Sequence, residues 1–269
     1  MSHFRPRNIL AAALVALLPF SQAQAATCGN TSSGFEAWKV EFAGEAKRAG
    51  VKRRGLKALA QAQYAHKTIA ADRNQKSFRY TLEKFMTVRG ATTIVARGRA
   101  RKARNPAFYA ALEKQYGVPA GVIISLHGME TAFGNFMGDS PIVSAITTLA
   151  YDCRRSDFFV PHAIGALKLV DRGTLTSATL GARHGELGHT QFLPGNAIEY
   201  GVDATGDGKV DFYDMTDALA STANFLRQKG WKRSKGYQPG QPNFKVIKQW
   251  NAATVYQKAI AIMAARIDG

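Results

Sequence analysis

Residues 121–135 read GVIISLHGMETAFGN. An almost wholly apolar run, GVIISL (121–126), is followed within four residues by a carboxylate, Glu130, with Gly128 and Gly134 on either side. A buried or half-buried acid is costly unless it is paired or has a task. Pro119, just ahead of the run, sits where a first helical turn tolerates it, so the stretch is read as a helix with Glu130 near its end. Residues three and four apart share a helix face, which places Leu126, His127, Phe133 and Gly134 around the carboxyl and Ile123 one turn further back. Such surroundings strip water from the carboxyl and raise its pKa. An acid that keeps its proton near neutral pH is what general-acid cleavage of a glycosidic bond requires. The flanking glycines would let a sugar chain approach the backbone closely. The same pattern also fits a Glu that simply pairs with one of the 36 Lys and Arg, and periodicity alone favours that plainer reading.

Helical spacing continues on both sides. Residues 105–116 read as a helix ended by Gly117. Asp157 is a candidate cap for another, with Ile164, Leu167 and Val170 on one face. DMTDALASTANFLRQKG (214–230) opens on Asp214 and Thr216 as cap candidates, carries Leu219, Ala223 and Leu226 at helical spacing, and closes at Gly230. Residues 252–267 form a last amphipathic helix. Strand signals are few, and the Gly-rich region 181–214 reads as loops with short β pieces. The expected class is therefore mainly α, an α+β domain whose groove is walled by loops.

The first 25 residues read as a secretory signal peptide. Arg5 and Arg7 precede an apolar stretch from Ile9 to Phe20, and Ala23-Gln24-Ala25 is a small-x-small cleavage site. Their removal takes away two Arg and no acid, so the net charge of +17 becomes +15. A protein this basic suits an anionic partner, and export makes nucleic acid the least fitting of them. Cys28 and Cys153 are the only cysteines, and an even count in an exported chain favours one disulfide over two buried thiols.

Further along, GELGHTQFLPGNA (185–197) changes the weight of Glu130. With it, DRNQKSF (72–78), YGVPAGVIISLHGMETAFG (116–134), TLAYDCRR (148–155), DALASTANFLRQKGW (217–231) and QWNAATVY (249–256) appear in register. Together they resemble the lytic murein transglycosylases of the membrane-bound B type, glycoside hydrolase family 103, over most of the mature chain. The resemblance implies a lysozyme-like core over about 105–269, with helical additions over 26–104, a short β/loop region and a periplasmic location. It implies cleavage of peptidoglycan glycan strands between N-acetylmuramic acid and N-acetylglucosamine, leaving 1,6-anhydromuramic ends, with no cofactor required. Glu130 would be the acid and then the base. Gln191 would line the groove and Asn251 would contact substrate. Phe192 and Trp250 are stacking surfaces or core residues in equal measure, and Gly134 borders the groove. Glu186 is read as structural or supporting, and His189 as structural more readily than catalytic. GARHGEL (181–187), with Arg183 and His184, departs from the usual family pattern on that wall. A hydrolytic muramidase and a non-catalytic, basic wall-binding protein are the alternatives. Peripheral contact with a membrane or with other cell-wall enzymes is left open, as is the oligomeric state.

DATGDGKVDFYDMTD (203–217) resembles an EF-hand loop in part. Asp203, Thr205 and Asp207 take positions 1, 3 and 5, Gly208 the sharp turn, and Lys209 could offer its carbonyl. Asp217 would close a longer loop. The two readings are a structural calcium site and an Asx-rich turn without metal.

Overall fold

The computed structural model describes Met1, residues 25–74 and residues 79–269. The signal-peptide reading, Met1 and Ala25 apart, and the end of DRNQKSF lie outside those residues. Helix α7 (Ala120–Thr131) is buried along nearly its whole length, Glu130 alone remaining half-buried. A helix apolar on every side belongs at the centre of a fold. Four helices enclose it: α5 (Ala91–Arg104), α6 (Pro106–Tyr116), α11 (Met215–Gln228) and α13 (Thr254–Asp268). α6 stops at Gly117, whose φ of 73° is the left-handed cap that ends a helix cheaply. Pro119 is the N-cap of α7 rather than part of its first turn. Gly121 lets α13 come close: a Cβ there would meet the Ala264 carbonyl oxygen at 2.4 Å. Asp268, at the end of α13, accepts the Gly121 N–H at 2.9 Å.

A second helical group sits beside this one. α8 (Ile142–Tyr151) packs on α9 (Ser156–Arg172). Against this pair lie α1 (Phe35–Arg48), α2 (Arg53–Gln61) and α3 (His66–Arg73). Cys28 and Cys153 form a disulfide that fixes the segment before α1 to the α8–α9 turn. Gly29 reinforces the join, donating to Tyr151 O at 3.0 Å and accepting from the Cys153 N–H at 3.2 Å. Phe35, Trp38 and Phe42 stack in series, and Tyr151 meets Phe35 edge-on. α4 (Leu82–Val88) joins α5 and α13, and α12 (Phe244–Trp250) leads into α13. One hydrophobic cluster runs from Phe35 to Ile267 through both groups.

The β content is slight, as expected. β1 (Ser140–Pro141) pairs antiparallel with β2 (Leu180–Gly181), Ser140 opposite Gly181. Two sequence expectations need correcting. Region 181–214 holds a helix, α10 (Pro194–Tyr200), which Pro194 starts and which packs on α9; at seven residues it is too short for a clear period. Asp157 lies in the first turn of α9 rather than at its cap, a position taken by Arg155. Asp214 does cap α11, accepting the N–H groups of Thr216 and Asp217.

Candidate functional site

Glu130 stands in the last turn of α7, where the backbone changes hand. Ala132, Phe133 and Gly134 have φ of 49°, 66° and 87°. Left-handed backbone costs a non-glycine residue about 1 kcal/mol or more, so something must hold it. Thr131 does: its hydroxyl donates to His189 O at 2.6 Å and accepts the Gly134 N–H at 2.9 Å. The turn corrects the face drawn from helical spacing. Phe133 folds back onto His127, ring centroids 5.4 Å apart, under the guanidinium groups of Arg97 and Arg101. Gly134 abuts His189, where an added Cβ would come within 2.5 Å of Cε1. Gly128 is packed against Ile94 and Phe133. Both glycines are packed against protein side chains. His189 and His127 face each other, Nδ1 to Nε2, at 3.0 Å. Burial pushes His127 down to about 3, so it stays neutral.

The carboxyl group itself is held from α12 and α13. Trp250 Nε1 donates to Glu130 Oε1 at 3.0 Å, and the Tyr256 hydroxyl donates to the same oxygen. Burial pushes the pKa of Glu130 up, these two donors and Arg89 pull it down, and the nearby charge of Glu186 pushes it up again. The net direction is up. Tyr256, almost fully buried, is itself driven well above the ordinary tyrosine range by burial and by Glu130, so it remains a donor. Oε2 of Glu130 takes no hydrogen bond from any described residue.

A cleft of about 140 Å³ opens beside the carboxyl group. Glu130, Glu186, Gln191, Trp250 and Asn251 line it together. Gln191 comes from a tight turn closed by the Leu187–Phe192 bridge, at a φ of 55°. Its side-chain nitrogen donates to Gly188 O at 2.9 Å and Met137 O at 3.3 Å, which leaves the amide oxygen as its acceptor. Asn251 ends α12; its Oδ1 accepts the Ala253 N–H at 3.0 Å. Phe192 contributes to the wall, but its ring is 1% exposed and packs between Phe212, Phe225 and Trp250. Phe192 is therefore a core residue and not a stacking surface. Trp250 is half-buried, edge-on to Phe192 and Phe225, and its indole N–H is engaged with Glu130.

The loop of Asp203–Asp217 closes on protein donors. Asp203 accepts the N–H groups of Gly206, Asp207 and Gly208. Asp217 accepts those of Ala204 and Thr205 through one oxygen and Asp211 through the other. Asp207 turns to the Lys209 N–H. Among the described residues no three His, Cys, Asp or Glu gather as a metal-holding group. These bonds build an Asx-rich turn, and no chemistry is assigned to a metal in it.

Tyr256 escaped the reading of the sequence as an individual residue, although it closes the motif QWNAATVY. A hydroxyl five residues beyond the cap of a groove-lining helix was the available signal. Its partner lies 126 positions away, beyond the reach of local spacing.

The family described as "Transglycosylase SLT domain" matches residues 34–240. Membrane-bound lytic murein transglycosylase B of Escherichia coli (strain K12) is 33% identical over 137 residues, 48% of this chain and 38% of that protein. The chain thus matches well under two thirds of the length of that relative. Among solved structures, SltB3 of Pseudomonas aeruginosa in complex with NAG-anhNAM-pentapeptide is 26% identical, with a TM-score of 0.78 over 88% of this chain and 80% of that one. The Escherichia coli lytic transglycosylase SLT35 in complex with calcium, 21% identical with a TM-score of 0.74 over 90% of this chain and 96% of that one, shares the fold.

Proposed function

The chain belongs to the transglycosylase SLT domain family, and from that premise we propose that it cleaves the β-1,4 bond between N-acetylmuramic acid and N-acetylglucosamine in peptidoglycan strands, leaving 1,6-anhydromuramic ends. The observation that carries this reading is a single half-buried carboxyl group whose one hydrogen-bonded oxygen is fixed by two donors and whose other oxygen is left to a substrate. It is supported by the anhydromuramic compound named in the SltB3 complex.

The chemistry follows from those contacts. Burial favours the protonated form of Glu130, which can protonate the glycosidic oxygen as the bond to C1 breaks. The muramic 2-acetamido group supports the cationic carbon. Trp250 and Tyr256 then stabilise the carboxylate left behind, their hydrogen bonds being stronger to the charged form. The muramic 6-hydroxyl attacks C1 of its own ring and its proton returns to Glu130. An internal nucleophile gains from proximity, so the protein need supply none. No cofactor enters these steps.

Glu186 in the same cleft favours a second reading, hydrolysis by a water held between two carboxylates. Mass spectrometry of muropeptides after digestion separates the two. Transglycosylation predicts anhydro ends from wild type and none from Glu130→Gln; hydrated reducing ends alone from wild type would overturn it. A non-catalytic wall-binding protein would release no sugar product at all. Export to the periplasm by a cleaved signal peptide is part of the proposal, supported by the disulfide. Among the described residues no helix is long and apolar enough to cross a membrane. The catalytic unit is proposed as residues 26–269, its core over about 105–269.

A further inference from the structure

Glu186 is the second carboxylate of the cleft that contains Glu130. Its Oε2 accepts the backbone N–H of His184 at 3.2 Å, and its Oε1 lies 3.6 Å from His184 Nδ1. The other ring nitrogen, Nε2, lies 3.8 Å from Oδ1 of Asp72. Asp72 belongs to α3, far from the cleft in sequence, and its side chain is 2% exposed. Arg155 Nη1 donates to it at 2.8 Å and Arg154 pairs with its other oxygen. A buried carboxylate with such partners is a fixed point, because moving it would strand several charges. The imidazole of His184 therefore stands between two carboxylates, one anchored in the helical layer and one in the cleft.

The backbone leaves Glu186 little freedom to turn away. Glu186 O accepts the Ala182 N–H at 2.9 Å. Gly185, before it, has a φ of 84°, and a Cβ there would meet Ile146 Cβ at 2.8 Å. A carboxylate only accepts hydrogen bonds, and a glycan strand offers donors in its hydroxyl and acetamido N–H groups.

We propose that Asp72 and His184 are positioning residues that hold Glu186 in the cleft as an acceptor for hydroxyl or acetamido N–H groups of the sugar beside the scissile bond. The proposal rests on the glycan-cleaving reading above and assigns Glu186 a binding duty, with no proton transfer. It also gives a purpose to His184.

The test is a double-mutant cycle, read as total glycosidic bonds cleaved in purified peptidoglycan, with Tm recorded for each variant. Glu186→Gln is expected to raise KM about tenfold, the worth of one hydrogen bond to a charged acceptor, with kcat changed less. His184→Gln, on a partly exposed side chain, is expected to raise KM in the same direction at an unchanged Tm. In the Glu186→Gln background it should add nothing, because its effect passes through Glu186. Asp72→Asn should follow the same pattern at a lower Tm. Fully additive effects of His184→Gln and Glu186→Gln, or an unchanged KM for Glu186→Gln, would overturn the proposal. Failure of the transglycosylase reading shows separately, as hydrated ends from wild type, and leaves the cycle readable.

Discussion

Replacing Tyr256 by Phe removes one hydroxyl from a side chain that is 1% exposed and leaves the ring in its packing. That hydroxyl and Trp250 Nε1 are the two donors to Glu130 Oε1. When Glu130 gives up its proton, the carboxylate formed depends on them in a site that burial has stripped of water. A hydrogen bond to a charged group contributes about 1.5–3 kcal/mol. Lost in the transition state, that amount slows kcat by roughly 10- to 150-fold. The pH dependence has a definite sign. The Tyr256 hydrogen bond lowers the pKa of Glu130 against the upward push of burial, so its loss raises that pKa further. The general acid then stays protonated to higher pH, and the alkaline limb of the rate profile moves up. The assay is initial-rate release of soluble muropeptides across pH, with circular dichroism as the folding control. A kcat within about threefold of wild type, or an alkaline limb that moves down, would refute the reasoning.

Phe192→Ala should cost about 3–5 kcal/mol in urea unfolding, because the ring is enclosed by three aromatic neighbours; a raised KM at unchanged stability would instead make it a sugar platform. Cys28→Ser/Cys153→Ser should lose about 5 kcal/mol, the chain-entropy value for a separation of 125 residues, and a loss below about 1 kcal/mol would mean that the unfolded chain is already compact there. Chelation with EDTA should leave Tm within about 2 °C, since the loop of Asp203–Asp217 closes on its own N–H groups; a larger fall reversed by calcium would restore the metal reading.

What the sequence displayed was whatever depends on short range. The apolar run before Glu130, the Gly117 cap and the Asp214 cap are local signals, and α7, the end of α6 and the start of α11 stand where they point. The disulfide followed from compartment and an even count. What stayed hidden was set by distant packing. Phe133 and Gly134 were assigned to the face of Glu130 because helical spacing was carried two and three residues past the end of the helix. The left-handed turn that overrides it is held by His189, on another segment. Phe192 is ambiguous in sequence because a core aromatic and a stacking aromatic are the same residue type. Only the rings of Phe212 and Phe225 decide between them. Tyr256 and Trp250 became the holders of Glu130 because α13 packs on α7 and α12 packs on α13, a tertiary fact.

The central claim is that burial keeps one carboxyl group protonated beside an open cleft. It is tested most directly by following the carboxyl carbon of Glu130 in 13C NMR as pH is varied, with Glu130→Gln used to assign the signal. The account predicts a midpoint above that of an ordinary glutamate, about 4.3, and a downward move when Arg183 and His184 are left intact but Glu186 is made Gln, since that removes a charge that pushes Glu130 up. A midpoint at or below the ordinary value in the wild-type protein would contradict it.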